Sequence, residues 1–211
     1  EKDLFHEASV KVPLIVYAPG PAADPTRGTT CDALVEAIDL APTFIEALGA
    51  RPPGHILEGR SLLPWLRGPR PESWRAATIS EYDSSLHAVA AGVGVAPRDS
   101  RLMMVFDGRV KLVHAEGGFR PMLFDLGADP DEFRDLGADP AHADTRARLY
   151  DLLHRWARRP SQRITMSDAQ ILARRGREQD KGIHIGVWDE TDVPAAGLGP
   201  LTGRAERIGR P

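Results

Sequence analysis

The chain has 211 residues, with 27 Lys plus Arg against 30 Asp plus Glu and a formal charge of −3. That balance lacks the basic excess expected of a nucleic-acid binder. At 42% hydrophobic and 27% charged residues the composition is that of a globular protein, and no apolar run reaches the ~18–20 residues that a membrane-spanning helix needs. The single cysteine excludes an internal disulfide framework and a multi-cysteine zinc site, and it leaves the compartment open.

Residues 1–13 carry neither the basic n-region nor the apolar h-region of a signal peptide. They read as the interior of a domain, so the chain is expected to be the C-terminal part of something longer. Val12-Pro13-Leu14-Ile15-Val16-Tyr17, bounded by Pro19-Gly20-Pro21, is a continuous apolar run. It predicts a strand buried on both faces, of the parallel-sheet type. Leu34, Val35, Ile38, Leu40, Phe44, Ile45 and Leu48 then recur at helical spacing. Pro42 predicts a helix start or kink there, Asp39 is the candidate N-cap, and Gly49 stops the helix. Strand followed by helix suggests the end of an α/β layer, over residues 1–70.

After Gly68-Pro69-Arg70-Pro71 the rhythm changes. Residues 77–81, 102–106, 110–114 and 122–125 are short strand candidates. Asp107-Gly108 between the middle two predicts a hairpin with a type I′ turn. A helix over residues 143–156, with Leu149, Leu152, Leu153 and Trp156 on one stripe, is expected to cover one face of the resulting antiparallel sheet. Residues 71–160 therefore read as a small α+β domain and residues 161–211 as a C-terminal arm. Within the arm, Ser167-Asp168-Ala169 opens a short helix candidate. Residues 182–188 alternate like a strand, which suggests assembly into a homo-oligomer through the arm.

The usual catalytic constellations are missing: there is no Gly-rich phosphate loop and no zinc spacing. Cys31 reads as a structural buried thiol. The seven histidines share no i, i+4 pairing. Asp125, Asp129, Asp131, Glu132 and Asp135 read as turn and cap residues, because the glycine and distal glutamate of a calcium loop are absent.

Five segments, in order, carry a resemblance. They are Lys2 with Glu7 and then Val10-Lys11-Val12-Pro13-Leu14-Ile15-Val16; Ile38-Asp39-Leu40-Ala41-Pro42-Thr43; Leu57-Glu58-Gly59-Arg60-Ser61-Leu62-Leu63-Pro64; Asp107-Gly108-Arg109-Val110-Lys111-Leu112; and Leu123-Phe124-Asp125-Leu126-Gly127-Ala128-Asp129-Pro130-Asp131-Glu132. Together, over residues 2–156, the chain resembles the C-terminal portion of the sulfatase family, within the alkaline-phosphatase-like superfamily. Ser80-Glu81-Tyr82-Asp83, Gly117-Gly118 and Gln162-Arg163 look most like its phosphonate monoester hydrolase and broad arylsulfatase branch.

The resemblance implies a fold of class α/β plus α+β: the end of an alkaline-phosphatase-like α/β domain, followed by a small antiparallel-sheet-plus-helix domain. It implies hydrolysis of small sulfate or phosphonate/phosphate monoesters by a formylglycine nucleophile and a divalent cation (Ca or Mn), which stabilise the transferring group's oxygens. The precursor pattern Cys/Ser-x-Pro-x-Arg occurs nowhere in this sequence, and the family's metal-binding aspartates are absent too. This chain is therefore expected to hold no metal and to be inactive alone. Of the family's catalytic set only the lysine carries over, onto Lys2, as a positive charge directed at the substrate oxygens. His6, Tyr82 and His87 are candidate substrate contacts, the last two expected on a loop after the first strand of the small domain. The alternative reading is a non-catalytic binding or oligomerisation module.

Overall fold

The computed structural model describes residues 5–68, 70–85 and 94–159, together with Ser167, Ala169, Gln170 and Ala173. The chain divides into two units, Glu1–Gln162 and Arg163–Pro211. In the second, Ser167 Oγ accepts from Gln170 N at 3.3 Å while Gln170 Oε1 accepts from Ser167 N at 2.8 Å. This reciprocal pair is a capping box, the helix start that Ser167 predicted. The proposed strand over 182–188 lies outside the described residues.

The first unit is built on four strands, β1 (Thr78–Asp83), β2 (Arg101–Phe106), β3 (Val110–Ala115) and β4 (Met122–Asp125), in an antiparallel meander of that order. All four fall within a residue or two of the predicted segments. Alternation along them splits the side chains between two faces. Val105, Leu112 and Leu123 face the helix α4 (Ala143–Ala157) and form a core with its Leu149 and Leu153, and Leu152 and Trp156 pack around it. Asp139 Oδ1 accepts from Ala141 N at 2.9 Å and holds the turn that leads into α4.

The β2–β3 turn differs from the prediction. A type I′ turn needs two residues at positive φ. Gly108 has φ +95°, but Glu132 is the only non-glycine with positive φ among the described residues, so Asp107 and Arg109 do not qualify. Instead Asp107 Oδ1 accepts from Arg109 N at 2.9 Å and Val110 N at 2.7 Å. An aspartate carboxylate closing the turn through the following amides replaces the paired left-handed conformation. The Arg148 guanidinium of α4 grips the other carboxylate oxygen at 2.5 Å.

The N-terminal half holds three short helices, α1 (Glu7–Val10), α2 (Leu40–Ala47) and α3 (Leu63–Arg67). Here the predicted α/β layer is not seen, because no strand lies among its described residues. Residues 12–17 are exposed, with Ile15 at 93% and Tyr17 at 75%. The apolar run was sound as composition, but a strand is a pairing, and without neighbours on either side the run has no ladder to join. Cys31 is exposed as well, on a non-helical stretch, which corrects the buried thiol.

The second predicted helix is shorter than its apolar pattern. A 3-10 turn, Ala37–Asp39, leads into α2, and residues 33–36 stay outside. Pro42 lies in the first turn of α2, where a missing N–H costs nothing. Gly49, at φ +83°, ends the helix as predicted, with its N–H on Glu46 O and Ala50 N on Ile45 O.

Asp39 makes no side-chain cap on α2. It is completely buried and serves as a junction. Its carboxylate accepts from Glu36 N at 2.9 Å, Arg60 N at 2.7 Å and the Arg75 guanidinium, whose Nη1 lies 2.7 Å away. Glu36 lies 3.0 Å from the same guanidinium. Trp74 Nε1 donates to Leu34 O at 2.7 Å and Ile79 N donates to Glu36 Oε1 at 2.8 Å, which joins this half to β1. At the far end Arg159 pairs with Glu58.

Candidate functional site

The sheet face turned away from α4 carries Met104 and Val113, with Tyr82, Leu102, Phe106 and Met122 around them and Phe5 packed on top. One residue at this apolar phase is a lysine. Lys111 is fully buried, between Val110 and Leu112 on β3. A buried ammonium with no acceptors would cost several kcal/mol or lose its proton. Here Nζ donates to Phe5 O at 2.8 Å, Glu7 Oε1 at 2.7 Å and Glu132 Oε1 at 2.8 Å. An ammonium has three N–H donors, so all are used.

Glu132 completes the arrangement from below. Its other oxygen, Oε2, accepts from Glu7 N at 2.7 Å and stands 3.4 Å from His6 Nδ1. Its backbone is left-handed, at φ 59°, a conformation that costs a non-glycine residue roughly 1–2 kcal/mol. One of the two carboxylates that pair with Lys111 therefore sits on a strained loop residue that the surrounding bonds hold in place. Lys111, Glu132 and Glu7 thus fasten residues 5–7 onto the sheet and fix the start of α1.

Among the sequence candidates, His6 sits at this anchor, half-exposed, its ring 5.8 Å from that of Phe124. A small apolar pocket of about 60 Å³ lies beneath it, bounded by Phe5, Val113, Met122 and Phe124. Tyr82 is on β1, paired with Leu102, and not on the loop predicted for it. It packs on the same face as Phe124, against which His6 lies, but on the strand at the opposite edge of the sheet. Lys2 and His87 lie outside the described residues. The exposed run of residues 12–17 borders an open groove of about 1300 Å³, whose walls include Leu34, Leu62, Met104 and Phe106.

The aspartates that resemble a metal loop are occupied otherwise. Asp125 Oδ1 takes Gly127 N at 3.0 Å, and Asp125 pairs with Arg109. Asp129 takes Arg134 N at 2.7 Å, and Asp135 takes Leu123 N at 3.0 Å and Gly137 N at 2.8 Å. The Arg109 guanidinium, helped by the backbone N–H groups, holds the Asp125 carboxyl below its ordinary value. Burial pushes Asp135 up, but the Leu123 and Gly137 amides and Arg120 outweigh it and leave that carboxyl lowered. Among the described residues no group of three or more His, Cys, Asp or Glu side chains is placed to hold a metal ion. The donors among the described residues therefore do not fit a divalent cation, and the sequence holds no formylglycine precursor pattern.

Sequence reasoning missed Lys111 and its two glutamates. The signal was there: a lysine in phase with Val113 on a strand with apolar residues on both faces. A second polar group also went unread. His114 Nδ1 lies 3.0 Å from Tyr150 Oη and Nε2 3.7 Å from Glu116. Burial, assisted by Glu116 and opposed by Arg146, raises the Tyr150 hydroxyl's pKa.

A four-stranded antiparallel sheet with one long helix on one face and an ion-anchored N-terminal segment on the other defines an α+β unit. Residues 1–159 match the family described as "N-sulphoglucosamine sulphohydrolase, C-terminal". A multifunctional alkaline phosphatase superfamily protein, PehA, of Trinickia caryophylli is 33% identical over 142 residues, which cover 66% of this chain and 27% of that protein. An N-acetylglucosamine-6-O-sulfatase of Bacteroides thetaiotaomicron is 28% identical over 158 residues, covering 72% of this chain and 26% of its own. The crystal structure of the phosphonate monoester hydrolase of Agrobacterium radiobacter superposes with a TM-score of 0.54 at 32% identity, covering 60% of this chain and 25% of that one. The chain belongs to the sulfatase family, in the alkaline-phosphatase-like superfamily, as its C-terminal region. It spans about a quarter of the length of these relatives.

Proposed function

We propose that this chain is the C-terminal part of a hydrolase that cleaves sulfate esters or phosphonate/phosphate monoesters, and that it contributes Lys2 to a site otherwise built outside it. The observation that carries this reading is the extent of the family match. The match runs over residues 1–159 and so includes Lys2, the residue that the resemblance likens to the family's lysine. A cationic side chain aimed at the non-bridging oxygens of the reacting group stabilises the charge that develops there. The formylglycine nucleophile and the divalent cation belong, in this reading, to residues outside the chain. The described residues fit neither group. The C-terminal arm serves assembly.

The substrate class splits along charge. A sulfate monoester carries one negative charge and a phosphate monoester up to two, so the cationic complement decides the preference. The test uses the complete protein with an aryl sulfate, a phenyl phosphonate and an aryl phosphate in parallel. Turnover of at least one is expected, and Lys2→Ala lowers kcat/KM for it by ~10²–10³, the usual effect of losing one oxyanion contact. Residues 1–211 alone show no turnover. An active isolated chain, or a complete protein inert on all three esters, would refute the reading.

A further inference from the structure

The Lys111 cluster does more than bury a charge. Its three partners converge from distant parts of the chain: the backbone of Phe5, the side chain of Glu7 and the left-handed Glu132 after β4. Two of the three belong to residues 5–7, the first described residues after Lys2. Glu132 also takes the Glu7 amide, so residues 5–7 are tied by backbone and side chain alike. We propose that Lys111 is a positioning residue that acts through Glu7 and Glu132 to fix the segment presenting Lys2 to substrate. The inference rests on the proposed role of Lys2.

The physical case is one of alternatives. A surface helix of one turn, such as α1, has no intrinsic stability. An apolar seat alone, Phe5 on Met104 and Val113, gives cohesion without fixing direction. Three charge-assisted bonds to one buried ammonium fix both register and orientation. Lys11 adds a looser contact, 3.8 Å from the second Glu7 oxygen, and is exposed. Misplacing a transition-state contact by about 1 Å costs up to ~10²-fold in rate. The anchor is therefore expected to act on kcat through Lys2, not on overall folding.

The experiment uses the complete protein and four variants: Lys2→Ala, Glu7→Gln, Lys111→Met and the double variant Lys2→Ala with Glu7→Gln. Glu7 is at the solvent edge, so Glu7→Gln keeps the core intact if Lys111→Met fails to fold. Steady-state kinetics are read beside hydrogen exchange of amides 5–12. Glu7→Gln is expected to lower kcat by about 10-fold with little change in KM, to speed exchange in residues 5–12 and to leave exchange in β2 and β3 unchanged. Once Lys2 is gone, Glu7→Gln costs no further activity. Multiplicative losses in the double variant, or unchanged exchange in residues 5–12, overturn the inference. If Lys2→Ala retains full activity, the role assigned to Lys2 falls, and the positioning role with it. If the complete protein is inert on every ester, the proposed reaction falls, and the exchange data alone decide whether the anchor orders the segment.

Discussion

Replacing Asp39 by alanine is the sharpest probe of how the N-terminal half is held. The carboxylate is fully buried and accepts from two backbone amides and the Arg75 guanidinium. Removing one partner of a buried ion pair costs ~3–5 kcal/mol, because the other charge stays buried and uncompensated. Glu36 remains 3.0 Å from the guanidinium and offsets part of this, so the lower end, about 3 kcal/mol, is expected. Arg75→Ala frees the acidic groups instead. The double variant leaves neither charge stranded and loses less than the sum, by at least ~1 kcal/mol of coupling. Trp74 provides the signal: the Arg75 guanidinium carbon lies 5.5 Å from its ring centroid, and the Trp65 ring meets it edge-on at 5.4 Å. Urea titrations followed by tryptophan emission measure each midpoint. Single losses below 1 kcal/mol, or losses that add to within ~0.5 kcal/mol, would refute the junction reading.

Gly59→Ala places a Cβ 2.0 Å from the Ile38 carbonyl oxygen, so the 57–60 loop must move off the turn before α2. A loss above ~1 kcal/mol is expected in the same titration, and wild-type stability would show that the loop moves freely. Acid should weaken the sheet end through the lowered carboxyls of Asp135 and Asp107. A carboxyl lowered by folding adds stability that is complete above its ordinary value of 3.8 and is lost as pH falls through the lower folded value. Thermal melts from pH 6 to 2 should therefore hold steady to about pH 4 and then drop, with a shallower drop in Asp135→Asn. An Asp135→Asn curve parallel to wild type would contradict this.

The sheet and its covering helix were legible because their signals are local. Apolar alternation at 102–106 and 110–114, an Asp-Gly between them and the 3.6-residue stripe of Leu149 and Leu153 each carry their structure with them. Residues 12–17 misled because their run states a need for burial, and only neighbours decide whether that need becomes a strand. Asp39 was misplaced for a related reason. Its position before a helix invites a cap, yet Arg60 and Arg75, far along the chain, outbid the helix amides. The same distance hid the Lys111 anchor, whose partners lie 104 and 21 residues away. Lys2 drew attention through family likeness, which marks a role in chemistry but carries nothing about what holds the chain in place.

The run from Val12 to Tyr17 bears on the colloidal behaviour of this polypeptide. Ile15 is almost wholly in water, and Val12, Leu14, Val16 and Tyr17 are exposed with it. A ribbon of this kind is sticky toward any extended partner, and Pro13 and Lys11 are the only gatekeepers along it. In the chain by itself this apolar run faces water, the kind of surface that favours self-association.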